Sequence, residues 1–313
     1  MSQLLTREPT VTRPRPRTHR SARFRQGAIG WMFLAPFGVV FLALLVAPLL
    51  YALYLSLFQR ALIGGTSFVG LGNYVKAFTD PTFLEGIWFV ARFSVVLIPL
   101  QMALSLGVAL GLDLLTTRFA RFARLMIFLP YAIPAVIGAL MWGFLYSRNF
   151  GPLTEVFGLI GLAAPDLLGQ DLVFFGLLNI VIWQWAGYYM IILFAALQGI
   201  DPTLYEAARI DGASTWQIML RIKIPLIAPA LVLILVFALI GTLQFFNEPQ
   251  ILRYLASGSI SADFTPNMYA YQQAFALANY NYGSALSFAL GAFVFVCVYL
   301  FMFITRKRGN FLS

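Results

Sequence analysis

The sequence predicts an all-α polytopic membrane protein with six transmembrane helices, on three observations. Hydrophobic residues make up 60% of the 313, charged residues only 11%, and the mean hydropathy is +0.82, a composition suited to lipid rather than water. Six apolar stretches are each long enough to cross a hydrocarbon core, which takes about 20 helical residues. Lys and Arg gather in alternate loops, the pattern that orients a polytopic chain.

Taken in order, residues 1–27 are rich in Arg and Pro and read as a disordered, basic cytoplasmic tail ahead of a transmembrane domain over 28–313. The first span, Ala28 to Phe58, is about twice as long as a cleavable signal's apolar core, so it reads as a retained anchor. The second, Ile87 to Leu112, carries Arg92 near its outer end and Asp113 at its inner end, both placed to snorkel to an interface. The third, Phe122 to Tyr146, contains Pro130 and Pro134, and the second contains Pro99; such prolines kink a helix or free its carbonyls. The fourth runs from Leu172 to Leu197, the fifth from Leu226 to Phe246 and the sixth from Ser284 to Ile304. The loops Gln59 to Gly86, Ser147 to Asp171 and Asn247 to Gly283 are long enough for short helices and a partner-binding surface.

Sixteen basic residues fall in the tail, in or at the edge of the second and fourth inter-span loops and at the C-terminus, against four (Arg60, Lys76, Arg148, Arg253) on the other side, with Arg92 left inside a span. Both termini are therefore expected in the cytoplasm. The asymmetry also explains the net charge of +9 without a nucleic-acid partner. Counting excludes several chemistries. The single Cys297 leaves no internal disulfide, and the single His19, in the tail, leaves no Ser-His or Cys-His catalysis and no His-based metal site. The three lysines follow Val75, Ile222 and Arg306, so none completes a phosphate-cradling Gly-Lys loop. The chain reads as a non-enzyme without cofactor or metal, and any active transport must draw on an ion gradient or another subunit.

Between the fourth and fifth spans lies a polar insert, roughly residues 199–225. Asp201 and Pro202 make an N-cap and first-turn pair for a helix over Thr203 to Ile210, and Gly212 supplies the left-handed stop. Ser214 with Gln217 reads as a capping box opening a second helix, with Trp216, Met219 and Leu220 on one face and Pro225 as its end. Attachment to two spans makes a DNA-reading role implausible.

At these residues the chain resembles a known family. Glu206, Ala207 and Ala208, then Asp211, Gly212 and Ala213, then Ile222 with Ile224 and Pro225, are similar to the EAA loop of binding-protein-dependent ATP-binding cassette importers. The span count and the run Gly70-Leu71-Gly72-Asn73-Tyr74 resemble its sugar permease branch, which includes the maltose and glycerol-3-phosphate permeases; Leu255 to Ser259 departs from that branch's usual run. The resemblance implies a type I importer permease in a bacterial or archaeal cell membrane. Its partners would be a second homologous permease, two copies of a cytoplasmic ATPase, an extracytoplasmic solute-binding protein and a sugar. Glu206 would be the acidic contact to the ATPase and Gly212 the turn.

A sugar pathway needs flat aromatic faces and side chains that hydrogen-bond hydroxyls. Trp183, Gln184, Trp185, Gly187, Tyr188 and Tyr189 in the fourth span, and Gln244, Phe245, Phe246, Asn247, Glu248 and Gln250 at the end of the fifth, offer that mixture; an aromatic belt or helix packing is the competing reading. The alternative function, a self-contained secondary transporter or channel, needs membrane carboxylates, of which the spans offer only Asp113 and Glu248.

Overall fold

In the computed structural model, residues 20–61, 65–115, 118–149 and 151–308 are described; residues 1–19, most of the expected tail, lie outside them. The chain divides into two units, Met1–Ala52 and Leu53–Ser313. The first is a helical run of α1 (Arg20–Phe41), a π-helical turn (Leu42–Val46) and α2 (Ala47–Ser56), whose last turn belongs to the second unit. Helix begins at Arg20, ahead of the expected Ala28, and Trp31–Ser56 is long and apolar enough to cross a membrane.

The second unit opens with an antiparallel hairpin of β1 (Phe58–Ala61) and β2 (Gly65–Phe68), the only strand pair among the described residues, pairing Phe58 with Phe68. Then come α3 (Gly72–Thr79) and α4 (Pro81–Asp113). Helix α4 starts where it does because the Asp80 carboxylate accepts from the Thr82 backbone N–H at 3.0 Å, with Pro81 in the first helical position. Next are α5 (Arg118–Ala132), α6 (Ala135–Leu145), α7 (Pro152–Leu159) and α8 (Val173–Gln198). The polar insert forms α9 (Thr203–Ile210), α10 (Thr215–Ile218), a π-helical turn (Met219–Lys223) and α11 (Ile224–Leu226). Helices α12 (Ala228–Leu243), α13 (Asn247–Leu252) and α14 (Pro266–Tyr271), a π-helical turn (Gln272–Ala276) and α15 (Tyr280–Arg308) complete the fold.

Five helical stretches pass as spans outright: Trp31–Ser56, Pro81–Asp113, Val173–Gln198, Ala228–Leu252 and Tyr280–Thr305. The sixth, expected as one helix, is Phe119–Ala132 plus Ala135–Leu145, bent by 97°. The cause is local. Pro134 has no N–H and biases Ile133 away from helical geometry, so the i to i−4 ladder stops there. The fifth span is also interrupted, at Gln244–Phe246 between α12 and α13.

Both interruptions free carbonyls that hydrocarbon cannot satisfy, and in both a neighbouring segment supplies the donors. Gln184 Nε2, from α8, donates to the Pro130 and Ile133 carbonyls at 3.2 and 2.7 Å. Thr265 Oγ1 donates to the Phe245 carbonyl at 2.8 Å, and Asn267 Nδ2 to the Gln244 carbonyl at 2.8 Å.

Two apolar clusters hold the unit together. One, with Phe83, Phe93, Leu177, Ile180 and Phe245 among its members, lies toward the α4 N-terminus, where Phe93 stacks on Phe245 at 5.0 Å. The other gathers Ala109, Met190, Leu193, Leu197, Ile227 and Ile234 toward the end that carries the α4 C-terminus. Between α4 and α8, Gln101 Nε2 donates to the Val181 carbonyl at 3.4 Å and Ser105 Oγ to the Ala186 carbonyl at 3.0 Å. Gly187 lets α8 close on α5, because a Cβ there would collide with the Ile127 carbonyl.

Candidate functional site

The two interruptions border one cavity. Its volume is about 540 Å³, and its walls come from the middle of α4 (Leu97, Gln101), the end of α5 (Tyr131), α8 (Trp185, Tyr188, Tyr189) and the α12–α13 junction (Thr242, Gln244, Phe246, Asn247, Glu248). Irregular backbone at membrane depth is tolerated where it lines such a space. The proline break brings Tyr131 to the wall, where its ring stacks on Tyr188 at 4.4 Å and 17° and meets Trp185 edge-on at 5.4 Å. Trp185 also lies 6.2 Å from Tyr189 at 30°. The lining also includes the amides of Gln244 and Asn247 and the buried carboxyl of Glu248. Among the described residues, none of the side chains lining the cavity is cationic.

Eight of the twelve pathway residues expected from sequence therefore share this wall: Trp185, Tyr188, Tyr189, Gln244, Phe245, Phe246, Asn247 and Glu248. Trp183, Gln184, Gly187 and Gln250 do not. Gln184 uses its amide N–H groups on the α5 carbonyls, and Gly187 is where two helix backbones touch. Trp185, also expected in the fourth-span cluster, joins the panel, whereas sequence reasoning missed Tyr131 and Gln101. A ring three residues before Pro134 was the available signal for Tyr131, once that proline is read as a break.

The polar insert takes the form its capping residues dictate. Asp201 Oδ1 accepts from the Thr203 N–H at 2.9 Å. Gly212 adopts φ +81°, and the Ala213 and Gly212 N–H groups donate to the Ala208 and Arg209 carbonyls at 2.9 and 3.0 Å, a Schellman stop. Both bonds of the Ser214–Gln217 capping box form, at 2.7 and 3.3 Å. Glu206, Ala207 and Asp211 are exposed, Ala208 and Ala213 half-buried, and a depression of about 280 Å³ lies against Asp211, Gly212, Ala213, Gln217, Arg221 and Ile222.

Two expectations for the insert change. Pro225 does not end the second helix; the chain widens into a π turn ahead of it and runs on through α11, which relieves the clash between a proline ring and the carbonyl four residues back. The expected apolar face also rotates. Ile218 is buried and Met219 packs on the second cluster, while Trp216 and Leu220 stay exposed.

Arg92 is exposed, its guanidinium 5.6 Å from the Trp88 ring. Asp113 does not snorkel: it forms an ion pair with Lys223, both side chains 9% exposed, and accepts from Gln198 Nε2 at 2.7 Å. The Lys223 ammonium lies 4.7 Å from the Tyr205 ring, and burial followed by the Asp113 charge pushes the Tyr205 phenol up from its ordinary pKa. At the opposite end, the Gly70–Tyr74 run is structural. Gly70 takes φ +54°, buried Asn73 donates to the Ser56 and Phe58 carbonyls at 2.8 and 2.9 Å, and the Tyr74 hydroxyl meets Ser56 Oγ at 2.7 Å.

Comparison with known proteins agrees with this architecture. The lactose transport system permease protein of Rhizobium radiobacter is 30% identical over 284 residues, covering 89% of this chain and 94% of that one. The trehalose/maltose transport system permease protein of Thermococcus litoralis is 28% identical, covering 92% and 96%. A chain in the crystal structure of a bacterial alginate ABC transporter, solved with its alginate pentasaccharide-bound periplasmic protein, shares the fold with a TM-score of 0.82 at 21% identity, covering 93% and 99%. The family model for the binding-protein-dependent transport system inner membrane component matches residues 103–307, which takes in the capped insert and every cavity-lining residue except Leu97 and Gln101. By that match and the near full-length relatives, this chain belongs to the family of binding-protein-dependent transport system inner membrane components.

Proposed function

We propose that the chain carries an uncharged carbohydrate through the aromatic cavity, driven by ATPase subunits that dock on the α9–α10 loop. The observation that carries the reading is the cavity. Its volume, about 540 Å³, suits a small-molecule site. Its stacked Tyr131, Trp185 and Tyr188 rings offer apolar faces to sugar C–H groups, and Gln101, Gln244 and Asn247 offer hydrogen bonds to hydroxyls. No cation lines the wall to pair with an acidic group, so a neutral sugar fits it better than an anionic one. The names of the relatives, for lactose and for trehalose and maltose, support the same class.

The loop is assigned to the cytoplasm, with both termini, because the basic residues gather at that end. Residues 28–313 form the permease domain, 199–225 its coupling loop, with Glu206 the acidic contact and Gly212 the turn. The chain lacks any phosphate-cradling motif, so ATP is hydrolysed by a separate subunit; two copies of that ATPase, a second permease and an extracytoplasmic binding protein are the partners that the family resemblance implies.

Uptake of radiolabelled lactose, maltose and a uronic acid disaccharide by cells co-expressing the whole transporter tests the reading. At least one neutral sugar is expected to enter and the uronate to be excluded. Trp185→Ala, Tyr189→Ala and Asn247→Ala should each lower uptake by about tenfold, the loss of one good contact, with assembly unchanged. Wild-type uptake in all three variants removes the cavity from the pathway.

A further inference from the structure

We infer that the buried ion pair between Lys223 and Asp113 is a positioning contact that ties the α9–α10 loop to α4, so that movement of the loop reaches both walls of the cavity. The inference rests on the reading of that loop as an ATPase docking surface and concerns where the motion goes afterwards. Helix α12 follows α10 and α11 along the chain and is moved by covalent connection. Helix α4, which brings Leu97 and Gln101 to the cavity, is more than 100 residues away in sequence, and Asp113 is its last helical residue. From Asp113 to Gln101 is twelve residues, about 18 Å of continuous helix.

Three independent features converge on the pair. A carboxylate at a helix C-terminus is opposed by the helix dipole, so Asp113 is a poor residue for its place unless a cation compensates it. The π turn Met219–Lys223 inserts one residue, which turns Lys223 by about 100° relative to an unbroken α-helix and presents it to α4. Tyr205 of α9 and Gln198 of α8 complete the contact, the first under the ammonium and the second on the free carboxylate oxygen. Coupling helix, α4, α8 and the root of α12 thus meet at a single pair of charges, both 9% exposed. A buried pair is poor evidence for stability, since apolar replacements often serve as well, whereas fixing the register of two elements is its best attested use.

The test uses the complete transporter, with ATPases and second permease, in proteoliposomes. Gly241 lines the cavity and a Cβ there meets no atom within 4 Å, so Gly241→Cys in a Cys297→Ala background gives a reporter thiol. The reading is the change in its alkylation rate by a soluble maleimide on adding Mg-ATP, divided by the ATP hydrolysed. Asp113→Asn is expected to keep ATP hydrolysis within about twofold while the alkylation response falls by about tenfold, an ordinary coupling energy. The exchange Asp113→Lys with Lys223→Asp should return it to within about twofold of the parent. A full response in Asp113→Asn overturns the inference. Should Asp113→Asn fail to assemble, the exchanged pair decides: an assembled complex without a response overturns it, a restored response supports it. If no ATPase co-purifies with the unmutated complex, the docking reading fails instead, before the ion pair is in question.

Discussion

At the scale of single residues, the side chains that sequence marks as chemical are divided here between chemistry and carpentry. Gln184 reads as a sugar ligand, yet its amide satisfies two carbonyls that Pro134 leaves open. Gln184→Leu should therefore lower the stability of the purified complex by about 2 kcal/mol, the cost of an unpaired buried polar group, measured as the thermal midpoint in detergent. Asp80 is a second case. Burial raises its pKa, but hydrogen bonds from the Tyr269 and Tyr282 hydroxyls, at 2.7 and 2.8 Å, and from the Phe83 and Thr82 backbone outweigh this and leave it lowered. The Tyr269 phenol is pushed up to about 12, by burial and then by Asp80. A carboxyl depressed on folding stabilises above its unfolded pKa, about 4, and the gain is lost as pH falls through the lower folded value. Asp80→Asn should flatten the acid limb of the stability profile below about pH 4 and leave its neutral part with the same slope, as pH titration of the thermal midpoint will show.

Elements were legible in proportion to how local their causes are. The α9 stop at Gly212 and the Ser214–Gln217 box could be read from a handful of neighbouring residues, and both formed. Gly212→Ala should cost about 1–2 kcal/mol, the penalty for a Cβ in the left-handed region, since nothing within 4 Å obstructs the side chain itself. Its readout is coupling, the uptake obtained per ATP hydrolysed. The broken third span was half legible, because Pro130 and Pro134 signal a disturbance but nothing local says that Gln184 will cap it and permit a 97° bend. The Lys223–Asp113 pair was not legible at all. Hydropathy and basic-residue counts treat each charge alone, and this pairing spans 110 positions across two helix ends. Glycines divide the same way. Gly187→Ala should cost about 1–3 kcal/mol by overpacking α8 on α5, while Gly241→Ala, facing open space, should leave the thermal midpoint unchanged.

For the whole molecule, the docking reading makes a charge prediction. Glu206 is exposed on α9, and Glu206→Lys should abolish ATPase co-purification with the permease complex while its own folding, followed by monodispersity in detergent, is preserved. Retention of the ATPase would move the docking surface elsewhere. The helix backbone contact at Gly187 has a wider consequence. Together with the Gln184 cap and the bonds from Gln101 and Ser105 to α8 carbonyls, it fastens α4, α5 and α8 into one block. Helix α12 faces the second cluster through Ile234 and Ala238, and among the described residues no hydrogen bond joins it to α4, α5 or α8. The cavity is thus a room with three walls keyed to each other and a fourth held by apolar packing, and under the proposed function that fourth wall is the one expected to slide as a cargo enters or leaves.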